Sequence, residues 1–235
     1  MIGPEGWGRV TVVSPHLDDV ALSMGATIAR AAREGAELSV VTVFAGDPAA
    51  SGPAGDWDRA CGFATEGSAA RGRREEDRAA CLALGARPVW LRFPDVQYAG
   101  DRDGDQVWLE LGPHLDVDLV LLPGYPLTHL DHAWLTRLAL ERLPGRARIG
   151  FYVERPYASG RGAPGRAAAG ALALLGRGLT WARFRPGWGE LRSKGRACRA
   201  YRSQFRFLKP HLTRRLALPE LWWETEYLGW PEGAS

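Results

Sequence analysis

The hydrophobic period of the chain changes twice within residues 9 to 46, and that constrains the fold more than any other feature. RVTVVS (9–14) is a β-branched apolar run of strand type. DVALSMGATIARAAREG (19–35) then places Val20, Met24, Ile28 and Ala31 close to a 3.6 spacing, with Gly35 as its C-cap. AELSVVTVFAG (36–46) returns to strand type. A strand, a helix and a strand in that order form a βαβ unit, whose crossover is right-handed.

The alternation continues downstream. RREEDRAACLALG (73–85) reads as an amphipathic helix ending at Gly85, RPVWLRF (87–93) and VDLVLLP (117–123) as strands, HAWLTRLALERL (132–143) as a helix and RIGFYVE (148–154) as a strand. LTWARFRP (179–186) is a further strand, and SKGRACRAYRSQFRFL (193–208) a helix with Ser193 as its N-cap. This order predicts an α/β fold, a mostly parallel sheet with helices on both faces. One domain is expected across residues 1–235, with excursions near 46–70 and 157–178 that are too long for simple connections. The tail PELWWETEYLGW (219–230) is dense in aromatics and joins no predicted element.

Composition narrows the function. The net charge of +3 is mild and the arginines are scattered rather than striped, which argues against a nucleic-acid partner. No run of about 18 apolar residues and no secretory h-region is present, so neither a membrane partner nor export is expected, and the prediction is a cytoplasmic protein. Cys61, Cys81 and Cys198 are far apart, without a CxxC pair, and read as buried thiols in a reducing compartment.

Two short clusters concentrate the chemistry. SPHLDD (14–19) puts His16 and Asp19 at the carboxyl end of the first strand, where open α/β sheets hold ligands. An Asp before a helix is most simply an N-cap worth about 1 kcal/mol, and Asp18 or Asp19 alone would be read so. GYPLTHLDHAWL (124–135) brings His129, Asp131 and His132 to the end of another strand, so three of the five histidines fall in two acidic clusters at one sheet edge. Imidazole and carboxylate suit zinc or another divalent first-row metal, and a His, Asp, His set leaves positions open for water and substrate. His114 and His211 lack such neighbours and are read as surface or packing residues.

These motifs resemble the PIG-L or LmbE-like N-acetylglucosaminyl deacetylases. SPHLDD before a helix and THLDH (128–132) carry the resemblance. RREEDRAACLALGA followed by LRFPD (91–95), and KGRACRAYRSQ (194–204), extend it over most of residues 9–205. The resemblance implies a Rossmann-like α/β three-layer sandwich and zinc-dependent removal of an N-acetyl group from an amino sugar. It makes His16, Asp19 and His132 the metal ligands and Asp18 the general base. His129 becomes the donor to the oxyanion, with Asp131 orienting it or tuning its pKa and Tyr125 helping to hold the oxyanion. Arg73 and Asp95 fall where the family holds sugar hydroxyls. The division between adjacent aspartates is chemically sound, because a carboxylate that gives its lone pairs to a metal is a poor proton acceptor. Iron(II) suits the same ligands as zinc.

The chain departs from the family pattern at Leu17 and Leu130, where proline is common, and at Val20, where glutamate is common. None of these removes a ligand. The expected partner is a small amino-sugar glycoside, an intermediate of an antibiotic or a thiol cofactor. Two rivals stand beside it: an amidase of the same metal chemistry acting on another acyl group or thiol conjugate, and a non-catalytic Rossmann-type binding module. The second would want GxGxxG after the first strand, where this chain has carboxylates that repel a pyrophosphate.

Overall fold

The computed structural model describes residues 4–99, 101–143, 148–158, 178–204 and 225–232. Most of the expected excursion near 157–178, residues 159–177, lies outside them, as do His211 and the first half of the aromatic tail, residues 219–224.

Seven strands form one sheet in the order β3-β2-β1-β4-β5-β7-β6: β1 (Arg9–Ser14), β2 (Glu37–Thr42), β3 (Arg87–Trp90), β4 (Leu119–Tyr125), β5 (Arg148–Val153), β6 (Leu179–Phe184) and β7 (Glu226–Pro231). The first five pair in parallel, while β7 runs antiparallel to both β5 and β6. Strand order reverses between β1 and β4, which opens a crevice at their carboxyl ends.

Alternation along the strands feeds two cores. Val10 and Val12 of β1 with Leu119 and Leu121 of β4 face α1 (Asp19–Arg33) and α3 (Glu66–Leu84). Val13, Val120 and Leu122 face the opposite side, covered by α4 (Gly104–Leu111) and α5 (Leu130–Arg142). Both faces are therefore apolar and helix-covered, as a parallel sheet requires. A short helix α2 (Asp56–Ala60) precedes α3, and α6 (Trp188–Ala200) packs against α1 and α3. Gly35 and Gly85, at φ of +93° and +76°, end α1 and α3 in the left-handed conformation that glycine adopts most easily. All three cysteines are free thiols. No helix among the described residues is long and apolar enough to cross a membrane.

Several expectations change. The excursion at 46–70 contains α2 and the first turn of α3, which begins at Glu66 behind a Thr65–Ser68 capping box. Ser193 is not an N-cap: α6 starts at Trp188 after Gly187, and Ser193 lies inside it. Helix α4 and strand β7 were not foreseen, and α5 starts at Leu130 with His129 as its N-cap.

Candidate metal centre and active site

The chain leaves β1 at Ser14, whose hydroxyl donates to the His16 carbonyl at 2.6 Å and tightens the turn. Asp18 then adopts φ +119°, a left-handed conformation that costs a non-glycine residue about 1–3 kcal/mol. It occupies the N-cap of α1, yet among the described residues its carboxylate caps no backbone N–H. The simple capping explanation of this aspartate fails, and the strained turn presents its side chain to a cavity instead.

Three lone-pair atoms converge beside it. His16 Nδ1 lies 3.1 Å from His132 Nε2, and Asp19 Oδ2 lies 3.5 Å from the first and 3.2 Å from the second. Each imidazole is anchored through its other nitrogen. His16 Nε2 meets Asp131 Oδ2 at 2.8 Å, and His132 Nδ1 meets the buried Glu154. Those carboxylates favour N–H on the outer nitrogens, so in the neutral rings both inner nitrogens would offer lone pairs to the same point. Facing lone pairs at that separation repel unless a cation lies between them. Donors about 2.0–2.2 Å from a tetrahedral ion stand roughly 3.4 Å apart, so the donor set fits a divalent metal. His129 adds a third imidazole, the ligand atoms of His16, His129 and His132 all lying within 4.8 Å of one another.

The electrostatics agree. Burial opposes charge on His16, but hydrogen bonds to Asp131 and Asp19 outweigh it and push its pKa up to about 9. At His132, burial is outweighed by Asp19 and Glu154, which push the pKa up to about 10. Such carboxylates offer a cation the same welcome they give a proton. Burial, and then the charge of Asp19, push Asp18 up to about 7, which places it near neutrality as a proton acceptor.

His129 Nδ1 accepts the Asp131 backbone N–H at 3.2 Å, which leaves Nε2 as the N–H. Burial and the neighbouring imidazoles hold its pKa below the ordinary histidine value, so the ring is a neutral donor. His16, Asp18, Asp19, Arg73, Asp95 and His129 line one cavity of about 830 Å³.

The sequence matches the family "PIG-L: GlcNAc-PI de-N-acetylase" over residues 11–143. The chain belongs to the PIG-L family. PIG-L deacetylases are metal-dependent; this chain is an N-deacetylase by family, and it has a histidine cluster that could bind a metal. Among curated proteins no sequence matches. Among solved structures, the A40926 pseudoaglycone deacetylase Dbv21 is 26% identical with a TM-score of 0.70, over 95% of this chain and 96% of that one. A deacetylase from the teicoplanin biosynthesis pathway is 25% identical with a TM-score of 0.73, over 97% of this chain and 100% of that one. The N,N'-diacetylchitobiose deacetylase of Pyrococcus horikoshii shares the fold at 19% identity and a TM-score of 0.58, over 92% of this chain and 79% of that one.

Within this PIG-L site, two expected arrangements take a different form. The Asp131 carboxylate makes no hydrogen bond to His129; it takes His16, the Val96 N–H at 3.2 Å and the Arg102 guanidinium, while the Asp131 backbone N–H orients His129 and the Asp131 charge acts on its pKa from nearby. Tyr125 ends β4 packed against Val153 and Ala158, and it is absent from the described residues lining the cavity. The tyrosine at the cavity is Tyr157, whose ring stands edge-on to His132 at 5.6 Å.

Arg73 reaches the cavity from α3, 3.4 Å from the buried Asp58, with its Nε buried and unpartnered among the described residues. Asp95 accepts from the Gln97 backbone at 2.9 Å and the Gln97 amide at 2.8 Å, which fixes the loop after β3. Two further residues were missed. Glu154 holds His132 and accepts the Leu127 N–H at 2.7 Å, and Arg102 backs Asp131 while lying 4.4 Å over the Phe44 ring. For Glu154 a signal existed: a carboxylate closing an apolar strand at the same sheet edge as His16.

Proposed function

We propose that this chain hydrolyses the N-acetyl group of an N-acetylglucosamine-type sugar in a small glycoside, with His16, Asp19 and His132 as metal ligands. The observation that carries the reading is the convergence of three lone-pair atoms beside a strained, uncapped aspartate at the strand ends. A divalent ion bound there would polarise the acetamide carbonyl and acidify a water molecule. Asp18, free of capping duty, takes the proton of the attacking water and returns it to the departing amine. His129 donates its Nε2–H to the oxygen that becomes negative, and a neutral donor held by a helix N-terminus needs no reorganisation as charge develops. Asp131 and Glu154 keep the ligand imidazoles in the tautomer that offers lone pairs inward. Arg73 and Asp95 hold sugar hydroxyls on the cavity wall.

The full-length relatives named as deacetylases of A40926 pseudoaglycone and of teicoplanin biosynthesis support an antibiotic glycoside over a thiol cofactor. We favour zinc as the metal, with iron(II) as the competitor that the same ligands admit. One relative with the same fold is known in a zinc-inhibited form, so zinc should be titrated for activation and for inhibition alike. The test is acetate release from N-acetylglucosaminides by zinc-loaded and iron-loaded protein, beside Asp18→Asn. Release that disappears in the variant while metal content holds supports the reading. Release of a different acid from longer N-acyl sugars, with acetamides untouched, would replace the acetyl group; no hydrolysis of any amide would overturn it.

A further inference from the structure

The cavity has a charged floor and an apolar rim. Trp57, Val96 and Tyr157 line it at 41%, 43% and 45% exposure, three of the seven large apolar side chains that the described residues leave exposed. The other four, Leu82, Leu109, Leu130 and Trp188, are scattered over four different helices and need no explanation. Three around one opening are a patch, and patches of that kind mark binding sites.

The patch rests on a fixed platform. Trp57 sits on α2, where the buried Asp58 accepts from the Tyr98 hydroxyl at 2.6 Å, and that hydroxyl accepts the Gly55 N–H at 2.9 Å. The Gln97 side chain lies so close over Gly55 that a Cβ there would come within 2.3 Å of its amide oxygen. The Trp57 indole N–H donates to Gln204 at 2.8 Å, which sets the plane of the ring. A preformed aromatic surface loses little freedom when a ligand lands on it.

Charge at the rim narrows the occupant. Arg73 is the only Lys or Arg among the described residues lining the cavity, and it stands at the floor beside Asp58, whereas the rim carries Asp56 next to Trp57. Among the described lining residues a phosphate-linked aglycone would find no cation at the rim, and the neighbouring Arg59 is already paired with Asp56. The cavity of about 830 Å³ lies high in the range of about 300–1,000 Å³ that drug-sized ligands fill, leaving room beyond one sugar ring.

We propose that Trp57, Val96 and Tyr157 form an aglycone subsite for a flat apolar group, an aromatic ring linked to the amino sugar. This rests on the deacetylase reading, in which the floor receives the sugar. Ring stacking beyond simple burial predicts a KM for phenyl N-acetylglucosaminide about tenfold below that of the methyl glycoside, with similar kcat. The phosphoglyceryl glycoside should show no advantage over methyl. Trp57→Ala should raise the phenyl KM at least about fivefold more than the methyl KM, and Trp57→Phe should keep most of the preference.

Equal KM values for phenyl and methyl, a preference that survives Trp57→Ala, or tightest use of the phosphate glycoside would each overturn the subsite. Should Trp57→Ala fail to fold, the partly exposed Val96→Ser supplies the same comparison. Calorimetric binding of the glycosides to the Asp18→Asn full chain separates the two readings. A tenfold phenyl preference in binding without hydrolysis by the parent protein would end the deacetylase reading and keep the subsite, and hydrolysis without that preference would do the reverse.

Discussion

Helix α1 joins two buried clusters of charge that look alike and behave oppositely. Near its middle, Met24 departs from helical geometry (φ −142°, ψ 23°), and Glu226 of β7 takes the N–H groups of Ala26 at 3.1 Å and Thr27 at 2.7 Å. The same carboxylate accepts the Thr27 hydroxyl and the Lys194 ammonium, each at 2.6 Å. Every charge there is answered inside the chain, so the cluster pins α1, α6 and β7 together. At the first turn of α1, Asp19 faces two imidazoles whose inner nitrogens confront each other. That arrangement calls for a positive charge among the three atoms, a proton or a metal ion. Burial alone therefore does not separate structural from functional charge; the mismatch of donors and acceptors does.

The sharpest way to break this contrast is Asp18→Asn. It should lower kcat by about 10²–10⁴ while metal content, read by elemental analysis, stays the same. Asp18→Gly should lose the same activity yet gain stability, since glycine relieves the left-handed strain. An Asn variant with full activity would return Asp18 to a structural role. Next in size is Lys194→Met, which strands the Glu226 carboxylate in the core and should cost about 3–5 kcal/mol in urea unfolding. Metal bound per folded molecule should not change. Metal loss at undiminished stability would show that the pin belongs to the site. Smaller again, Glu154→Gln and Asp131→Asn each weaken the carboxylate grip on one ligand imidazole. A chelator competition should find metal affinity down about 10–100-fold in both.

How much of this was legible depended on whether the signal was local. The βαβ start and both histidine clusters announced themselves through period and spacing, and the carboxyl-end position of His16 followed from β1 alone. The beginning of α3 did not, because it packs through smallness: Gly67, Ala69 and Ala70 are buried, and a Cβ on Gly67 would come within 2.3 Å of the Ala50 carbonyl oxygen. A stretch without large apolar residues carries little periodic signal. Ser193 misled because a capping residue type inside a helix looks like its start, whereas Gly187 after Pro186 marked the true boundary. Strand β7 is defined by antiparallel pairing with distant strands, and its segment reads only as an aromatic tail. The pairing of Asp131 with His16, 115 positions apart, is a product of the crevice between β1 and β4, and no spacing rule within one motif could supply it.

The smallest test returns to the missed helix start and calibrates the contrast from its neutral side. Thr65 accepts the Ser68 N–H at 3.1 Å while the Ser68 hydroxyl accepts the Thr65 N–H at 3.0 Å, a reciprocal pair with every donor answered. Thr65→Ala should cost about 1 kcal/mol, and Ser68→Ala added to it should cost less than it does alone, because the two bonds close one box. Neither residue lines the cavity, so kcat and metal affinity should hold within error while the urea midpoint falls. A capping variant that lost metal would mean that α3 transmits its start to Arg73 and the floor. The line between self-contained polar clusters and the metal centre would then have to be drawn further out.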